Sequence, residues 1–138
     1  MKNQILFGIT RRNPDTPGDN SQIIAFKIHD SQNIERIPIK FMNYIYAGES
    51  HGLCIFNDKL ISVGTNGTPE GELATNDDFK NGLVGKIITS DIEYHDHEII
   101  IKNSKIYNPF DCSHHHHIND ICECDGTLYM TAFSYCDK

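Results

Sequence analysis

What the chain lacks narrows it before any motif is read. Tryptophan is absent. No apolar run approaches the roughly 18 residues of a membrane-spanning helix, so no transmembrane helix is expected. Met1 to Gln4 lead straight into a strand-like segment, without an apolar leader or a small-residue cleavage site. No signal peptide is therefore expected, and the expected compartment is cytoplasmic. Basic residues are scarce: 12 Lys and Arg stand against 19 Asp and Glu, a formal charge of −7. Phosphate backbones are gripped by basic footprints, so nucleic acid is a poor partner. An acidic surface suits a small molecule, a cation or a basic partner instead. The five cysteines include no Cys-x-x-Cys pair and suggest no disulfide framework. A Gly-x-Ser-x-Gly elbow, a phosphate loop and a dinucleotide fingerprint are all missing. So is any apolar stripe at helical period; the nearest thing to a helix is a turn near Thr75 to Phe79.

What remains is a series of short extended runs separated by turn-forming residues. Ile5 to Thr10, Gln22 to His29 and Glu35 to Phe41 come first, and Pro38 marks the third as an edge strand. Gly52 to Phe56 and Leu60 to Thr65 flank Asn57-Asp58. Val84 to Tyr94 and Glu98 to Lys102 flank His95 to His97. Ile118 to Cys124 and Thr127 to Tyr135 flank Asp125-Gly126, a strong signal for a two-residue hairpin with positive φ at both positions. The length fits one domain, residues 1–138.

His51 to Val63 parallels His117 to Thr131. Each begins with a histidine, continues as a short strand, turns on an Asp and returns through a Leu. Repeated units of four strands are the sequence mark of a β-propeller. The expected fold is therefore all-β, with β-propeller blades of four antiparallel strands. Three strands of one blade, four of the next and two of a third make about two and a half blades, an incomplete ring. The exposed strand edges then need missing blades, a complementary chain or oligomerisation to cover them.

Ser50-His51-Gly52-Leu53-Cys54 with Asp58-Lys59-Leu60, and His117-Ile118-Asn119-Asp120-Ile121 with Asp125-Gly126-Thr127-Leu128-Tyr129-Met130-Thr131, resemble six-bladed propellers of the gluconolactonase/SMP-30 type. The pattern is more similar still to a bacterial propeller family of the DUF4915 kind. The resemblance spans most of Ile5 to Tyr135 and would cover about half of such a fold. It implies a divalent cation near the channel, held by Asn and Asp side chains. Only Asn119 and Asp120 fall on that motif here, and His117 stands where those relatives often carry a proline-containing approach.

Loop length gives a separate argument. The turns on one face of the blades are short, while Arg11 to Ser21, Met42 to His51, Asn66 to Leu83 and Asn103 to His116 all leave from the other. Long loops on a rigid scaffold are where binding usually lives. That face carries the candidate ligand-binding residues Arg11, Arg12, Glu49, His51 and His117. His51 and His117 begin innermost strands, and with Asn119 and Asp120 they form the candidate metal set. Imidazole nitrogens with Asn and Asp oxygens suit zinc, and oxygen-only sites suit calcium. The same residues also read as structural: the histidines as hydrogen-bonding groups between blades, Asp120 as a turn cap. His114 to His116 read as a solvated loop. Cys122 and Cys124 share a strand face and read as small apolar side chains or as zinc ligands.

Two function classes follow. One is a binding module for a small molecule or peptide on the long-loop face. The alternative is a metal-dependent lactonase-like hydrolase. Fold analogy does not choose between them.

Overall fold

The computed structural model describes residues 4–10, 21–45, 50–65, 84–110 and 115–135. Among them there is no helix, and hence none long and apolar enough to cross a membrane. Ten strands form three sheets in chain order. The first sheet is β1 (Gln4–Ile9), β2 (Ile23–Ile28) and β3 (Ile34–Ile37), all antiparallel. The second runs in the order β4-β8-β7-β6-β5, from β4 (Ile39–Met42), β5 (Leu53–Phe56), β6 (Lys59–Val63), β7 (Ile87–Tyr94) and β8 (Ile99–Tyr107). The third is the hairpin of β9 (His115–Cys124) and β10 (Thr127–Tyr135). None of the three closes on itself. This is the all-β, incomplete-ring arrangement of successive sheets that the strand pattern predicts.

Turn chemistry sets the hairpins. Asn57 and Asp58 have φ of 49° and 57°, and Asp125 and Gly126 have 51° and 74°. Positive φ at both central residues matches the twist of the flanking strands. The Glu123 carboxylate also accepts a hydrogen bond from the Gly126 N–H at 2.7 Å.

The sequence reading of the third strand is corrected. Glu35 to Phe41 is not one edge strand but two, broken at Pro38. Proline donates no ladder hydrogen bond, so pairing with β2 ends at Ile37. Beyond Pro38 the chain crosses to the second sheet and pairs in parallel with β8, Ile39 opposite Ile99. The second sheet therefore has five strands rather than four. Ser104 fixes the continuation: its hydroxyl accepts from the Ile45 N–H at 3.1 Å, and its own N–H donates to the Asn43 carbonyl. Two further boundaries move. β8 continues to Tyr107, and β9 begins at His115, so His115 and His116 are strand residues rather than loop. The helical turn near Thr75 lies outside the described residues.

Both faces of the second sheet are covered. Leu60, Ile99 and Ile101 pack against Ile23, Ala25 and Ile37 of the first sheet, with Phe7 and Ile92 beside them. Ile61 and Val63 pack against Ile118 and Ile121 of the third. Fully burying an isoleucine or leucine contributes about 1.5–3 kcal/mol, so these two layers supply most of the cohesion between sheets. Strand β5 lies beside both β1 and β9. The beginning of β5 comes against the middle of β9, at Asp120 and Ile121.

Candidate functional site at the mouth between sheets

A β-bulge interrupts the middle of β9. Asp120 lies opposite Thr131 and Ile118 opposite Ala132, so Asn119 has no partner across the hairpin. The extra residue re-phases the strand. Ile118 and Ile121 are three apart, yet their partners Ala132 and Met130 share a face, and both isoleucines are buried. By the same register His117 and Asp120 share the opposite face. Simple alternation would have paired His117 with Asn119 instead.

Gly52 holds β5 against this bulge. A Cβ at Gly52 would meet the Ile121 nitrogen at 2.7 Å, the Asp120 Cα at 2.9 Å and the Val63 Cγ2 at 2.9 Å. Only glycine permits so close an approach, and it brings its neighbour His51 alongside His117 of β9. The rings of His51 and His117 meet edge to face, with centroids 6.1 Å apart and planes at 71°. His51 is exposed and His117 half-buried.

A seam of buried hydroxyls fixes the three sheets behind these rings. The Thr65 hydroxyl accepts from the His51 N–H at 3.0 Å and donates to the Ile118 carbonyl at 2.6 Å. The Ser50 N–H donates to the Ser21 hydroxyl at 3.1 Å, and the Ser50 hydroxyl donates to the Gly52 carbonyl at 3.3 Å. Thr65, Ser50 and Ser21 are buried. Buried polar groups require partners; Ser50 with Ser21 links the second sheet to the first, and Thr65 with Ile118 links it to the third. The bond between the second and third sheets runs from the Thr65 hydroxyl to the Ile118 carbonyl. Sequence reading passed over Ser21 and Thr65. The available signal was a small hydroxyl at the end of the apolar run Leu60 to Val63.

Beside the seam opens a cavity of about 480 Å³ lined by Ile9, Thr10, Ser50 and His51. Thr10 is held at its wall by exchange with Gln22: the Thr10 N–H donates to the Gln22 carbonyl, and the Gln22 N–H to the Thr10 hydroxyl. The Asp120 carboxylate, on the shared face with His117, accepts from the Ile121 N–H at 2.8 Å, a capping bond to its own strand. Asn119 is half-buried at the bulge. Among the described residues no three His, Cys, Asp or Glu side chains gather closely enough to hold a metal ion. Arg11, Arg12 and Glu49 lie outside the described residues.

Cys54 follows on β5, and burial, with Cys122, Asp120 and Glu123 nearby, pushes its thiol up to about 11. Such a thiol is a protonated packing group near neutral pH, not a nucleophile. Cys122 and Cys124 are both exposed on β9. Comparison of the chain with family models, with curated proteins and with solved structures yields no match.

Proposed function

We propose that the chain is a propeller-type binding module that takes a polar small molecule, or the end of a peptide, at the mouth between sheets. The imidazoles of His51 and His117 are its recognition groups. One observation carries this reading: the His51 ring, whose residue lines a cavity of about 480 Å³, meets the ring of His117 from the third sheet. That volume lies within the range of about 300–1,000 Å³ usual for small-molecule sites. The buried seam holds the His51 backbone in place, which lowers the cost of ordering its ring on binding. Kinship with the gluconolactonase-type propellers belongs to the same proposal, supported by the succession of sheets. The open edges of β1 and β10 are, in this reading, covered by further blades, a complementary chain or a second copy.

The test uses D-gluconate, D-glucono-1,5-lactone and zinc as probes, with the His rings followed by NMR. The binding reading expects gluconate or the lactone to shift both rings, without turnover, and a His51→Ala/His117→Ala variant to lose the response while its remaining spectrum is unchanged. Lactone hydrolysis that needs zinc would move the assignment to the hydrolase. No shift of either ring with any probe would overturn the proposal.

A further inference from the structure

We propose a second binding site, at the opposite end of β5, for a small zwitterion with an apolar body; free amino acids with aromatic or branched side chains are the simplest of this class. The cleft between the first two sheets there has a volume of about 610 Å³, against about 480 Å³ for the cavity at the mouth.

The walls are apolar and come from both sheets. Phe7 of β1 and Tyr94 of β7 meet edge to face, with centroids 6.5 Å apart and planes at 62°. Ile5, Ile37, Ile55 and Ile99 also line it, with His95 at the β7–β8 turn, and Ile55 and Tyr94 remain 37% and 53% exposed. An aromatic pair with aliphatic neighbours suits a flat or branched hydrocarbon group.

Two charges of opposite sign line the same cleft, Lys27 on β2 and Asp96 in the β7–β8 turn. Neither makes an ion pair among the described residues. Glu35, the residue opposite Lys27 across the ladder, is engaged by the His29 ring at 3.2 Å. Lys27 is thus a half-buried cation beside isoleucine and phenylalanine with no carboxylate in ion-pair contact among the described residues, a position that favours an incoming anion. Asp96 offers the complementary acceptor to an ammonium group. A ligand carrying both charges satisfies both residues, while an anion alone leaves Asp96 near its carboxylate. The site is separate from the mouth: Ile55 lies near the end of β5, whereas His51 precedes its start.

The experiment titrates the ¹⁵N-labelled full chain with L-phenylalanine and L-leucine, and with the singly charged analogues 3-phenylpropionate and phenethylamine. The expected result is a saturable shift of the Phe7, Lys27, Tyr94 and Asp96 amides by at least one amino acid, with both analogues at least tenfold weaker. Lys27→Met should reduce the amino acid to the level of phenethylamine, and Asp96→Asn to that of 3-phenylpropionate, each with an otherwise unchanged spectrum. His51→Ala should leave the titration unaltered, so this site and the mouth fail or succeed separately. Absence of shifts at millimolar amino acid would overturn the proposal. So would analogues that bind as well as the amino acids, or a Lys27→Met variant that binds like the parent.

Discussion

Replacing Thr65 with valine removes one oxygen atom and nearly nothing else. Thr65 has no exposed surface, and its hydroxyl joins the His51 N–H to the Ile118 carbonyl. Valine fills the same volume with a methyl group and leaves both backbone groups short of a partner. A buried group left unsatisfied costs about 1–3 kcal/mol. The Ile118 bond is buried and the His51 bond only partly so, and water reaching the latter recovers part of its loss. The expected destabilisation is therefore about 2–4 kcal/mol in urea unfolding, with an unchanged slope. Thr65→Ser supplies the control. It keeps the hydroxyl and loses a methyl group, at about 1 kcal/mol. Serine should consequently be the milder variant. If valine proves as stable as threonine, or more stable than serine, the hydroxyl does not bridge the sheets and the seam has been misread.

Four other consequences follow from named contacts. Gly52→Ala places a Cβ under 3 Å from the backbone of Asp120 and Ile121, and should destabilise the chain by about 1–3 kcal/mol while shifting the His117 resonances; a neutral result would mean β5 does not approach β9 so closely. Gly126→Ala meets open space but holds φ at 74°, so about 1 kcal/mol should be lost locally, with the His117 resonances unmoved. Iodoacetamide at pH 8 should label the exposed Cys122 and Cys124 well before Cys54, whose thiol at about 11 leaves roughly one molecule in a thousand ionised; peptide mapping with Cys54 labelled first would contradict its burial. Lys59 holds the Asp91 carboxyl, and Lys102 the Glu93 carboxyl, below their ordinary values. Folded values below unfolded ones give stability that is present above the unfolded range near pH 4 and lost as pH falls through the folded values. The Asp91→Asn/Glu93→Gln variant should flatten that acid limb in a pH series of unfolding curves, and an unaltered limb would remove these pairs from the explanation.

The parts legible in the sequence are those set by local chemistry. Asp125-Gly126 and Asn57-Asp58 announce hairpins because few residue pairs accept positive φ twice. Alternation in short runs announces strands, and the absence of a helical stripe announces an all-β chain. Pro38 announced an edge, but the transfer of the chain to a parallel partner depends on where β8 lies, and nothing local to Pro38 encodes that. The bulge at Asn119 was equally hidden. It turns Ile118 and Ile121 to one face and His117 and Asp120 to the other, against plain alternation, and it answers to the approach of Gly52 from another sheet. His51 and His117 could be singled out because each stands at the start of a similar strand. The hydroxyl seam behind them could not, because a threonine closing an apolar run gives no sign of two partners 14 and 53 residues away. The cleft lined by Phe7, Lys27 and Tyr94 is likewise assembled from distant strands, and short turns gave no reason to look there.

The most direct measurement is a nuclear Overhauser spectrum of the ¹³C,¹⁵N-labelled chain with both histidine rings assigned. Rings in edge-to-face contact at 6.1 Å between centroids bring their edge protons close enough for transfer. We expect cross-peaks between His51 and His117, together with peaks from Gly52 to Ile121 and from Thr65 to Ile118. Two assigned rings without mutual cross-peaks, in a sample whose hairpin peaks between β9 and β10 are intact, would contradict the convergence on which the binding site rests.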